Sequence, residues 1–93
     1  MKRSLFILIM LLSACAVKPP VQEMSNARSA IKVAQEIPGS TIKSETYLKS
    51  AETALEEAAE AIREERYEKA RGKALQAKRD AQTAARIKQS NQQ

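Results

Sequence analysis

The residues of this 93-residue chain that could do chemistry are few. Cys15 is the one thiol, and histidine and tryptophan are absent. Without histidine the commonest general base and metal ligand are missing. Glu52, Glu56, Glu60, Glu64 and Glu68 recur every fourth residue and could be imagined as paired carboxylates for acid–base work. Such pairs need a sheltered cleft to separate their pKa values, and a solvated helix surface has none. A calcium site would need oxygen ligands converging from a loop with glycine at its bend, and no such loop is written here. The sequence therefore points away from an enzyme, with no catalytic residues, no metal ligands and no cofactor site. Tyr47 and Tyr67 are candidate recognition anchors, since tyrosine is enriched in binding surfaces. Lys69, Arg71, Lys73, Lys78, Arg79, Arg86 and Lys88 form a basic run that could meet an anionic lipid or cell-wall polymer, with Arg71, Lys78, Arg79 and Arg86 as candidate contacts, or simply be solvated.

The surroundings of Cys15 are more telling. Lys2 and Arg3 are followed by the unbroken apolar run Leu5 to Leu12 and then by the small pair Ser13-Ala14. Eight residues of helix span about 12 Å, against roughly 30 Å of hydrocarbon in a bilayer. The run is therefore an export signal, not a lasting transmembrane segment. Leu12-Ser13-Ala14-Cys15 resembles the lipobox of bacterial lipoproteins. The resemblance implies cleavage before Cys15, a diacylglyceryl group on its sulfur and, in many bacteria, an acyl chain on its freed amine. One chain binds membranes marginally, whereas two or three anchor stably. Ala16, not aspartate, follows the cysteine, which by likeness to Gram-negative sorting signals implies the periplasmic face of the outer membrane, or the cell membrane in another envelope. A lone cysteine with no disulfide partner in an exported chain fits this role. The net charge of +5 falls to +3 without Lys2 and Arg3. Such a charge raises nucleic acid as a partner for a cytosolic chain, but an exported one is not expected to meet it.

What would such an anchor hold? Residues 1–14 read as the removed leader and 15–21 as a tether, made extended by Pro19 and Pro20. Residues 22–88 read as a helical domain and 89–93 as a disordered polar tail. A first helix starts near Pro20 or Val21 and carries Met24, Ala27, Ile31 and Ala34 on one face until Pro38-Gly39 stops it. A second begins with Ser44 as N-cap and carries Leu48, Ala51, Leu55, Ala58 and Ile62. A third run carries Tyr67, Ala70, Ala74, Ala77, Ala81 and Ala84. Between Ile62 and Tyr67 the step is five, so the phase breaks.

A turn at Glu65-Arg66 would fold the last two runs into an antiparallel hairpin, setting Leu48 opposite Ala84 and Ile62 opposite Ala70. Residues 45–68 hold eight acids and three bases, while residues 69–93 hold seven bases and one acid. Glutamates at i, i+4 repel one another within a helix, and a basic neighbour relieves them. The fold would bring Glu45 near Arg86, Glu52 near Arg79 and Glu60 near Arg71. The expected class is all-α, a short N-terminal helix plus an antiparallel hairpin. The alternative is two helices, the second long and continuous, since no glycine or proline lies between Arg63 and Lys69.

Tyr67-Glu68-Lys69-Ala70, with Ala58, Ala61 and Ile62 before it and Ala74, Ala77 and Ala81 after it, has tetratricopeptide-like helix spacing. With Ala27-Arg28-Ser29-Ala30-Ile31 and the lipobox, it is similar to small helical bacterial lipoproteins of the DUF 4398 type. In that family a Gly-Asp or similar pair often marks the turn before the tyrosine, where this chain has Glu65-Arg66. Some members precede a peptidoglycan-binding domain, which brings in peptidoglycan-associated proteins as partners. The expected function is a lipid-anchored, non-enzymatic interaction or envelope-organising protein, acting through a protein partner or self-association. The alternatives are a membrane-perturbing basic lipoprotein and an accessory subunit of an envelope enzyme.

Overall fold

The computed structural model describes residues 18–92, so the leader, the lipobox and Cys15 lie outside the described residues. Three helices account for most of what is described: α1 (Val21–Glu36), α2 (Ile42–Arg63) and α3 (Tyr67–Ser90). The continuous second helix is thereby set aside in favour of the hairpin.

Each helix begins and ends for a local reason. Pro20 precedes α1, and its carbonyl accepts the Met24 amide at 3.0 Å. Pro38 stops the helix by forcing the residue before it, Ile37, into extended backbone. Gly39 then takes φ 97°, and a Cβ there would lie 3.3 Å from the Lys88 carbonyl, so the turn needs a glycine. The N-cap of α2 is Thr41, not Ser44. Thr41 Oγ1 accepts the Ser44 amide at 3.1 Å, and Ser44 Oγ accepts the Thr41 amide at 2.9 Å. Ser44 thus occupies the third helical position of a reciprocal capping box, a place usually held by Glu or Gln.

The hairpin turn sits where the phase break put it. The Glu65 amide donates to the Ile62 carbonyl at 2.9 Å and the Arg66 amide to the Ala61 carbonyl at 2.8 Å. These two bonds are a Schellman closure, in which the residue after the cap adopts left-handed backbone. Glu65 does so at φ 61°, the one non-glycine residue with positive φ among those described. A side chain in that region costs free energy that glycine does not incur. Glu65→Gly is therefore expected to raise stability by about 0.5–1 kcal/mol, read as a higher urea midpoint at unchanged m-value. A lower midpoint would show that the Glu65 side chain makes a compensating contact.

Packing follows the small residues. α2 and α3 run antiparallel in extensive contact, and α1 lies parallel to α3 and packs mainly on it. The core is layered. Met24, Ala58 and Ala74 form one layer, and Ala27, Ala54 and Ala77 the next. Ile31, Ala34, Leu48, Ala51, Ala81 and Ala84 form the third. The predicted faces of α1 and α3 are buried residue for residue except for Tyr67, which is half-buried. In α2 the face is turned: Ala54 and Ala61 are buried where Leu55 and Ile62 were expected, and those two are half-buried. Alanines take the centre because two helices approach α2 at once, and only a methyl group fits between three close backbones.

α1 starts beside the hairpin turn, with Glu23 on Arg71, and ends beside the C-terminus, with Ala34 on Lys88. The expected tail is ordered as far as Gln92. Helix α3 continues to Ser90, and Gln92 Nε2 donates to the Pro38 carbonyl at 2.9 Å.

Candidate interaction surface

The residues proposed from sequence as a surface do not all remain available. Tyr47 is half-buried against the Ile31–Leu48 layer, and Tyr67 is half-buried at the start of α3. Arg71 is occupied: its Nε lies 3.1 Å from Glu23 Oε2 and its NH1 3.2 Å from Glu68 Oε1. Lys78, one heptad further along the same flank, is half-buried. Arg79 and Arg86 are the two of the six that are exposed, and Arg86 donates to Thr83 Oγ1 at 3.0 Å. The basic run is therefore divided between α1 contacts and open solvent, and it does not form one patch.

The cross-hairpin pairs expected from folding about Arg66 are also replaced. Glu45 approaches Lys88 at 3.8 Å, not Arg86. Glu60 pairs with Arg63 on its own helix, and Arg71 turns to α1. Glu52 accepts a hydrogen bond from Gln35 at 3.1 Å, not from Arg79. The hairpin is stitched instead by Lys73–Glu57 at 3.3 Å and by Ser50 Oγ donating to Asp80 Oδ2 at 2.7 Å. Lys73 and Glu57 are both part-exposed, so their pair contributes about 0–1 kcal/mol. The five ridge glutamates are all exposed, as a solvated face requires.

Two features were missed. The first is a groove between α1 and α2, floored by Ile31 and Leu55 and walled by Arg28, Lys32, Glu52 and Glu56. The second is Lys88, whose side chain is 3% exposed and whose Nζ donates to the Ala34 carbonyl at 2.9 Å.

A family model described as "Domain of unknown function (DUF4398)" matches residues 22–93. The chain belongs to that family. The DUF4398 match begins within the first turn of α1 and covers all three helices, so the family unit is the whole bundle and not the hairpin alone. No curated protein and no solved structure is significantly similar to this DUF4398 chain. Among its described residues no helix is long and apolar enough to cross a membrane.

Lys88 has a signal in the sequence that is easy to overlook. The carbonyl of Ala34 would normally accept the amide four residues on, but that residue is Pro38, which has no N–H. The carbonyl is left without a donor, and α1 has no basic residue in its last turn to meet its negative end. Lys88 supplies both the donor and the charge from another helix. Among the described residues no buried side-chain nitrogen or oxygen lacks a partner.

Proposed function

We propose that this protein is a lipoprotein, anchored through lipid on Cys15 and acting as a non-enzymatic interaction or envelope-organising module. The observation that carries the reading is the order of residues around Cys15: two bases, eight apolar residues, Ser13-Ala14 and then the one thiol. The bundle supports it by its layout. Pro20 is fully buried, and it lies five residues after Cys15. Five residues reach about 17 Å when extended, enough to hold the bundle just off the headgroups without pressing it into the bilayer. The accessible features of the domain are open grooves between helices with charged walls, suited to a macromolecular partner. An anchor raises the effective concentration of such a surface near membrane partners, so weak contacts suffice. Ala16 in place of aspartate after the cysteine favours the periplasmic face of the outer membrane if the source is Gram-negative.

The test compares wild type with Cys15→Ser by membrane fractionation and intact mass. Wild type is expected in the membrane fraction, without residues 1–14 and heavier by a diacylglyceryl group and an acyl chain. Cys15→Ser is expected to lose both the lipid and the cleavage before residue 15. A wild-type product that is soluble and carries a bare thiol would overturn the reading.

A further inference from the structure

The groove between α1 and α2 is the least closed of the three, because α1 packs chiefly on α3. Its floor is apolar: Leu55 is half-buried although it touches all three core layers, and Ile31 lies beside it. The apolar strip continues toward the hairpin turn. Val21 is 71% exposed and sits one heptad before Arg28, hence on the same flank of α1, and Ile62 is half-buried two turns beyond Leu55.

The walls carry opposite signs. Arg28 and Lys32 line the α1 side; Glu56 and Glu52, which accepts a hydrogen bond from Gln35 across the groove, line the α2 side. All four are exposed, and none of them makes an ion pair among the described residues. The walls overlap in height: Ala27 and Ala54 share a core layer, Arg28, Glu52 and Glu56 lie within two residues of it, and Lys32 lies one turn beyond Arg28. A groove with a positive wall and a negative wall at overlapping heights is complementary to itself under a single symmetry operation. A two-fold axis along the groove turns the second copy over and exchanges left for right while preserving height. Arg28 and Lys32 of each copy then face Glu52 and Glu56 of the other, twice over, and the two Leu55 side chains meet near the axis. A two-fold axis perpendicular to the groove and in the plane of the interface would instead oppose like charges.

The geometry points to a parallel homodimer of this chain, formed groove to groove between α1 and α2. The occupant of the groove is a second copy of the same protein, and the charged walls select its direction. Parallel alignment also keeps both copies of Pro20 at the same end, so two lipid anchors would enter one bilayer. The dimer rests on the groove alone and does not need that anchor.

The experiment uses the protein as cells produce it, purified in mild detergent from whichever fraction holds it and weighed by native mass spectrometry and sedimentation. Wild type is expected to be a dimer, at least tenfold weaker in 0.5 M salt than in 0.05 M salt, because the walls are exposed and screened. The double variants Arg28→Glu/Lys32→Glu and Glu52→Lys/Glu56→Lys are each expected to lose at least tenfold in dimer affinity with unchanged helicity. Mixed together they are expected to regain it as a heterodimer, since both halves of the interface again join opposite signs. Trans rescue requires both variants to be folded, so it separates a broken interface from a broken fold. A monomeric wild type, or single-variant losses that mixing does not repair, would overturn the dimer. Membrane fractionation of the same variants is expected to be unchanged, which keeps this result distinct from the Cys15 test.

Discussion

Ala77→Leu is expected to destabilise the bundle by about 3 kcal/mol, the upper end of the usual cost of overpacking. Ala27 and Ala77 are 0% exposed and Ala54 is 1% exposed, and the three form a complete layer across the three helices. Among the described residues the partly buried hydrophobic packed against that layer is Leu55, from the groove side. A leucine at residue 77 adds three carbons where three backbones already meet across methyl groups. The helices must separate, and every layer above and below loses contact with them. Cores in domains this small rarely supply more than about 3–5 kcal/mol. The variant should therefore be largely unfolded at 37 °C, seen as lost helical circular dichroism and no cooperative urea transition. A control at a solvent-exposed site, Ile42→Ala, where the side chain is 90% exposed, should leave stability within about 0.5 kcal/mol. A fully folded Ala77→Leu would show that the waist of the bundle is not close-packed.

Lys88→Glu is the second large effect, expected to exceed the loss from Lys88→Met. In wild type the ammonium is held between the Ala34 carbonyl at 2.9 Å and the Glu45 carboxylate at 3.8 Å. Methionine keeps most of the apolar volume but leaves the Ala34 carbonyl buried without a donor, which costs about 1–3 kcal/mol. Part of that is returned, because a buried charge no longer has to be desolvated. Glutamate does worse on every count. It places a carboxylate against a carbonyl oxygen, at the negative end of α1 and near Glu45, with no donor to offset its burial. The expected order of urea midpoints is wild type, then Lys88→Met, then Lys88→Glu, with the last undocking α1 first. Loss of protection of the α1 amides in hydrogen exchange, ahead of α2 and α3, is the specific signature. Equal midpoints for Met and Glu would show that Lys88 reaches solvent in the native state.

Much of this fold is legible because α1 and α3 each present a single face of small and apolar residues. Met24, Ala27, Ile31 and Ala34 step by three and four, and so do Ala70 to Ala84, and all are buried. The turn is legible as a phase error between Ile62 and Tyr67, although no glycine announces it and Glu65 carries the left-handed backbone instead. What could not be read was the rotation of α2. A pattern of hydrophobic residues names the largest side chains as the core, and here Leu55 and Ile62 were pushed to the flank. Ala54 sits between Ala27 of α1 and Ala77 of α3, and where those neighbours lie is a fact that the sequence of α2 does not contain. The ion pairs failed for a related reason. Pairing by reflection about Arg66 fixes which residues share a height, not which flank their long side chains take, and α1 claimed Arg71 for itself. Lys88 looked like one more solvated base until the missing amide of Pro38 was counted against the Ala34 carbonyl.

The parallel course of α1 and α3 gives the domain two unlike ends. Pro20 enters at the hairpin turn, while Asn91 and Gln92 leave against Pro38 and Gly39 at the opposite pole. The 24 residues of α3 separate the poles by about 36 Å. The bundle is in effect a rigid spacer: whatever is joined to its last helix is carried a fixed distance from whatever holds its first. A fluorophore placed at each pole should report one narrow separation, insensitive to the length of chain before Pro20.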